Sequence, residues 1–299
     1  MNLDFIKGVV VPILTPIDKD ELIDEAKFRK QIDFVINGGM AGILVFGSNG
    51  EFYQVEEPEM ERGLKIAVSQ AAGRIPVYFG IGAINTKKCI RLAKMAVANG
   101  ASAVSILQPM FLKPTQTELF EHFKAVAESI PETPVLIYNN PGRVGYGLNA
   151  NLIAKLAHEV KNIVGMKDTS GDITLTEECV RLNRDIEFKV FGGKDTLLYA
   201  SLCVGAVGGV CTAGNFMPNL IGDVYNKFVA GDLKGSLEAQ FKLNPVRLSM
   251  DGASFPVASK DMANLRGQDV GDPYLPNLPT PEGPVLENIK ATMKEAGLL

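Results

Sequence analysis

An alternation constrains this chain more than any other feature. Eight short, β-rich apolar runs are each followed by a longer amphipathic stretch. Gly8–Leu14 precedes Glu25–Asn37, Gly42–Phe46 precedes Glu56–Ala72, Pro76–Gly80 precedes Thr86–Asn99, and Ala103–Leu107 precedes Thr117–Ser129. The pattern continues with Val135–Tyr138 before Asn149–Val160 and Ile163–Lys167 before Ile173–Leu182. It closes with Phe188–Gly192 before Thr196–Val204 and Val207–Cys211 before Asn219–Ala230. Runs that are apolar throughout, not at every second residue, suit parallel strands covered on both faces. Eight successive βα units predict an α/β fold of the (β/α)8 TIM barrel type. A doubly wound open sheet is the alternative the pattern leaves standing. The barrel is expected over residues 1–231. Residues 232–299 read as a C-terminal helical extension packed on it, interrupted by the proline-rich DPYLPNLPTPEGP.

Composition narrows the function. Thirty Lys+Arg against 34 Asp+Glu give a net charge of −4 with no basic block, which disfavours nucleic acid or an anionic membrane as partner. No apolar stretch approaches the ~18 residues of a membrane span. The N-terminus, MNLDFIKGVVVPILTP, lacks the basic start and long apolar core of a signal peptide, so a cytoplasmic location is expected. Cys89, Cys179, Cys203 and Cys211 form no CxxC pair and read as buried free thiols. The two histidines, His122 and His158, lie in segments of helical periodicity. A histidine zinc site or a Ser-His-Asp triad has almost no raw material, so no metal and no cofactor are expected. Catalysis must come from Lys, Tyr, Ser/Thr, carboxylates or Arg.

In a barrel of this kind the active site lies at the C-terminal ends of the strands. That rule selects Gly47-Ser48-Asn49-Gly50-Glu51, Tyr138-Asn139-Asn140-Pro141-Gly142-Arg143, Lys167-Asp168-Thr169-Ser170-Gly171-Asp172 and Gly192-Gly193-Lys194-Asp195. Lys167 follows an apolar strand. A lysine so placed loses ammonium solvation, its pKa falls, and the neutral amine attacks ketones; alternatively it is a solvated lysine opening a polar loop. The Gly47–Gly50 turn offers consecutive N–H groups to a carboxylate or phosphate, or is simply a βα turn that needs glycine for positive φ. Its spacing fits neither a Walker loop nor a dinucleotide fingerprint. Glu51 reads as a brace for that loop, since a carboxylate beside an anion seat would repel the substrate. Tyr138 is placed to relay protons between Lys167 and a hydroxyl such as Ser48, or is a core ring. Arg143 could grip a second carboxylate in bidentate fashion, or pair with Asp168 or Glu132. The glycine-rich strand Val207–Val210 would leave room for a ligand.

Together, GSNGE, YNNPGR and GMKDTSGD stand in the order and spacing of the dihydrodipicolinate synthase / N-acetylneuraminate lyase superfamily, which the chain resembles along essentially its whole length. The resemblance implies a class I aldolase mechanism on pyruvate. Lys167 would form the Schiff base, Tyr138 would shuttle protons with Ser48, and the Ser48 and Asn49 amides would hold the pyruvate carboxylate. Gly47, in the same turn, would also take part in binding the substrate. Gly193 and Val210 would line the pyruvate pocket, and Arg143 would contact the second substrate, an aldehyde. The family also implies a homotetramer built as a dimer of dimers.

Departures from the family pattern bear on the substrate. The synthases usually carry Thr-Thr where this chain has Ser48-Asn49. They also place a tyrosine, reaching across a dimer contact, where this chain has Phe111. Phenylalanine cannot relay a proton, whereas Arg143 looks like the synthases. The expectation is therefore a lyase that cleaves a 2-oxo-3-deoxy sugar acid or 4-hydroxy-2-oxo acid to pyruvate and an aldehyde. Second comes 4-hydroxy-tetrahydrodipicolinate synthase, which condenses pyruvate with aspartate semialdehyde. A non-catalytic sensor or scaffold barrel is the remote third.

Overall fold

A computed structural model describes all residues, 1–299. Eight parallel strands close into a barrel in sequence order: β1 (Gly8–Pro12), β2 (Gly42–Val45), β3 (Val77–Ile81), β4 (Ala103–Leu107), β5 (Val135–Asn139), β6 (Ile163–Asp168), β7 (Lys189–Gly192) and β8 (Gly208–Val210). Pairing of β1 with β8, through Gly8↔Gly208 and Val10↔Val210, closes the ring and eliminates the open sheet. The helices are α1 (Glu25–Asn37), α2 (Glu57–Ala71), α3 (Thr86–Ala98), α4 (Gln116–Glu128), α5 (Pro141–Val144), α6 (Ala150–Glu159), α7 (Ile173–Leu182), α8 (Leu198–Cys203) and α9 (Pro218–Val229). Three more, α10 (Leu233–Ser249), α11 (Val257–Leu265) and α12 (Pro284–Glu295), follow the barrel. No helix is long and apolar enough to cross a membrane.

The helices begin where side chains satisfy their free N–H groups. Asp24 caps Lys27, Asn85 caps Lys88, Asn149 caps Leu152, and Thr115 forms a reciprocal capping box with Glu118. The apolar strands serve two cores. A large cluster lies between sheet and helices, holding Val11, Ile43, Phe79, Ile106, Met166 and their helical partners. A smaller one fills the lumen with Val10, Leu44, Tyr78, Leu136, Val164, Phe191 and Val210, stoppered from below by Leu3 and Ile6.

Several sequence expectations are corrected. The glycines of β8 do not make space for a ligand: a Cβ on Gly208 would lie 2.0 Å from the Gly8 carbonyl oxygen, so glycine is what lets β8 approach β1 and close the ring. Cys203 is exposed, unlike the other three thiols, because it ends α8 on the solvent side. The stretch read as one helix from Thr196 to Val204 is a 3-10 turn, Asp195–Leu197, leading into α8. Helix α11 was not legible at all.

Candidate active site

Register builds the centre. Tyr138 on β5 pairs with Lys167 on β6, one strand spacing away, and both sit at the C-terminal mouth of the lumen. Lys167 is 5% exposed, with Nζ 4.2 Å from the centroid of the Tyr138 ring. The Tyr138 hydroxyl accepts a hydrogen bond from Asn140 Nδ2 at 2.8 Å and lies 3.5 Å from Ser48 Oγ. Burial alone would raise this phenol. The Lys167 ammonium and hydrogen bonding with Ser48, Thr169 and Asn140 outweigh it and bring the phenol below its ordinary value.

Ser48, Asn49 and Gly50 form a 3-10 turn after β2. The Gly50 and Glu51 N–H groups close it onto the Gly47 and Ser48 carbonyls, which leaves the Ser48 and Asn49 N–H groups at its open end. Gly47 and Gly50 do not have positive φ; the left-handed residues flanking the turn are Phe46 (φ 53) and Glu51 (φ 55). Glycine is needed at 50 for room instead, because a Cβ there would meet the Ile13 carbonyl oxygen at 3.0 Å. The Asn49 side chain ties the turn to two other elements. Its Nδ2 donates to Thr212 Oγ1 at 2.8 Å, and its Oδ1 accepts from Ser259 Oγ at 3.1 Å. Glu51 is a brace, as expected. It is fully buried, ion-paired with Lys260 of α11 at 2.7 Å, and accepts the Tyr274 N–H at 3.0 Å.

A cavity of about 430 Å³ opens over Lys167 and gathers Ser48, Asn49, Tyr138, Arg143, Lys167 and Gly193 of the sequence-selected residues. Gly47 and Val210 do not line it. Gly47 packs against Leu44 and Pro12, and Val210 belongs to the lumen cluster beneath. Arg143 pairs with no carboxylate; its guanidinium carbon sits 4.0 Å from the centroid of the Phe255 ring. Asp168, one of the partners considered for it, instead accepts from Asn139, Ser170 and Thr176 below the mouth.

The cavity also holds residues to which sequence reasoning assigned no role. Asn140, Thr169, Lys194 and Asp195 stood in the strand-end segments without an assigned role, and Thr212 lies just past β8. Arg247, Asp251 and Phe255 come from α10 and the loop after it. The strand-end rule cannot reach a residue that the C-terminal extension folds back over the mouth. Asp195 is buried and accepts the N–H groups of Thr212 at 3.0 Å and Ala213 at 2.8 Å, which fixes the β8 loop.

Comparison with known proteins agrees with this geometry. Residues 5–296 match the model of the dihydrodipicolinate synthetase family. A 4-hydroxy-tetrahydrodipicolinate synthase of Thermotoga neapolitana is 32% identical over 98% of this chain and 99% of its own. One from Geotalea uraniireducens is 34% identical over 98% and 99%. The crystal structure of dihydrodipicolinate synthase from Thermotoga maritima superimposes with a TM-score of 0.95 at 30% identity, covering 99% of this chain and 100% of that one. YagE from E. coli K12, a prophage protein of the dihydrodipicolinic acid synthase family solved in complex with pyruvate, gives 0.93 at 26% identity over 98% and 99%. The names of the curated relatives support the synthase reading, which the sequence placed second, over the sugar-acid lyase it placed first. This chain belongs to the dihydrodipicolinate synthetase family and is an enzyme of the carbon–carbon lyase class.

Proposed function

We propose that the chain is a 4-hydroxy-tetrahydrodipicolinate synthase, joining pyruvate to aspartate semialdehyde through a Schiff base on Lys167. One observation carries the reading: a buried lysine, a phenol and a serine hydroxyl stand in line at one cavity, with Nζ 4.2 Å from the Tyr138 ring and the phenol 3.5 Å from Ser48. The neutral amine of Lys167 adds to the keto carbon and water leaves, which gives a protonated imine. Loss of a methyl proton yields the enamine, its carbon attacks the aldehyde, and the semialdehyde's amino group then adds to the regenerated imine carbon, closing the ring and displacing Lys167 as the free amine. Tyr138 carries the protons, and the open N–H groups of Ser48 and Asn49 seat the pyruvate carboxylate. Gly193 keeps the wall beside the imine low, and the unpaired Arg143 fork receives the carboxylate of the second substrate.

A second reading, retro-aldol cleavage of a 2-oxo-3-deoxy acid, is favoured by Phe111, which brings no hydroxyl to the relay. The two are separated by measuring both reactions on one preparation. The synthase reading expects kcat/KM for the semialdehyde condensation to exceed that for cleavage by more than about tenfold, a difference of ~1.4 kcal/mol. The reverse order overturns it. The proposal includes a homotetramer in the cytoplasm. Phe111 is 92% exposed and Leu112 50%, an apolar pair that a second copy would cover.

A further inference from the structure

The catalytic cavity does not end above Lys167. A second cavity of about 400 Å³ adjoins it beneath the segment from Met250 to Ser259. The two share a seam of six residues: Asn49, Arg143, Thr212, Arg247, Asp251 and Phe255. Two guanidinium groups therefore stand at one passage. Arg143 arrives from the β5 end and is held by the Phe255 ring. Arg247 arrives from the last turn of α10, outside the barrel proper.

The Arg247 contacts are those of a group held in place but not consumed. Nε is 3.9 Å from Oδ2 of the buried Asp195, and Nη1 donates to Asp251 Oδ1 at 2.9 Å. Nη2 has no partner. Asp195 also accepts two backbone N–H groups, so it is a fixed anchor. The Asp251 carboxylate is 64% exposed, and an ion pair with so exposed a group contributes little, which makes it easy to exchange. Charge points the same way. The catalytic cavity is lined by four cationic side chains, Arg143, Lys167, Lys194 and Arg247, against the carboxylates of Asp195 and Asp251. One cation, Lys167, is taken up by the imine, and Asp195 is committed to Arg247 and the β8 loop.

We propose that Arg247 is a specificity-determining residue that, with Arg143, seats the distal carboxylate of the aldehyde at the seam. The site then selects aldehydes ending in a carboxylate and rejects neutral ones. A planar fork offering paired N–H donors matches a carboxylate in two-point contact, which a neutral hydroxyl end does not reproduce. This inference rests on the Schiff-base reading above and adds a residue that the strand-end motifs do not contain.

The test uses the full-length enzyme, pyruvate, and three aldehydes: aspartate semialdehyde, succinate semialdehyde and neutral glyceraldehyde. Borohydride trapping of pyruvate is run alongside on wild type, Arg247→Met and Arg247→Lys. Equal trapping in all three shows that the fold and the pyruvate half are intact. Arg247→Met is expected to lose at least tenfold in kcat/KM on both acidic aldehydes, mostly through KM, and less than twofold on glyceraldehyde. Arg247→Lys should regain part of the loss. Equal losses on acidic and neutral aldehydes, no loss on any, or trapping destroyed in Arg247→Met would overturn the assignment. If the wild type itself traps no pyruvate, the Schiff-base reading falls and this inference falls with it.

Discussion

Removing one member of the Glu51–Lys260 pair is expected to destabilise the enzyme and to loosen pyruvate binding together. Glu51 ends the turn that carries Ser48 and Asn49, and its carboxylate is 0% exposed; Lys260 is 1% exposed. Burial is the leading influence on both, pushing the Glu51 carboxyl up and the Lys260 amine down, and each resists through the other's charge. Lys260→Met leaves Glu51 without a countercharge and the Asp272 carbonyl without the donor that now stands 2.8 Å away. Breaking a buried pair from one side costs about 3–5 kcal/mol. Unfolding entropy for a chain of this length is on the order of 0.6 kcal/mol per degree, so the melting temperature should fall by about 5–8 °C. Glu51→Gln breaks the same pair from the other side and should cost a comparable amount. The double variant should fall by less than the sum, because no unpaired charge is left behind. Calorimetry on the four proteins, with KM for pyruvate measured on the same samples, provides the assay. Single variants that melt within 1 °C of wild type with unchanged KM would refute the claim that this pair braces the turn.

Four other outcomes follow from the geometry. Tyr138→Phe should lower kcat by about 10²–10⁴-fold, the usual range for a positioned proton donor, while pyruvate trapping persists. In Lys167→Ala the Tyr138 phenol should titrate at higher pH than in wild type, because the ammonium that most opposes burial is gone; ultraviolet difference titration reads this directly, and an unchanged or lower midpoint contradicts it. Phe111→Ser should weaken assembly in light scattering, and Phe111→Tyr should speed the semialdehyde condensation; retention of the full oligomer by the serine variant would count against the interface. Burial lowers the His122 imidazole to about 4 against an ordinary 6.5, so the folded state favours the neutral ring. Its contribution, about 3 kcal/mol, is complete above pH 6.5 and is lost as pH falls toward 4. His122→Gln should flatten denaturant midpoints over that interval, and an unaltered slope would refute it.

What could be read from the sequence was whatever local periodicity determines. The strands were visible because residues such as Ile43, Val104 and Ile137 are buried whichever way they face, and apolar runs record that. Lys167 and Tyr138 were found because a barrel sends strand ends to one mouth, so polar residues closing apolar runs stand out. Val210 was misplaced because a strand end fixes a height along the barrel but not which side of the lumen floor a side chain meets. The close approach of Gly208 to the Gly8 carbonyl of β1 depends on ring closure, which joins residues two hundred positions apart. Arg247 and Phe255 escaped for a related reason. Helix α10 carries Pro245 within it and shows no clean apolar stripe, so nothing local reveals that its last turn bends over the active site. The ranking of lyase over synthase leaned on Phe111 and the Ser48-Asn49 pair, a few loop residues weighed against similarity that runs the length of the chain.

The most direct test of the account is mass spectrometry of the enzyme after borohydride reduction in the presence of pyruvate. One added pyruvate-derived group is expected, carried by the peptide containing Lys167 and absent from Lys167→Ala, which otherwise keeps the wild-type circular dichroism. Label on Lys194, or on no lysine, would contradict it.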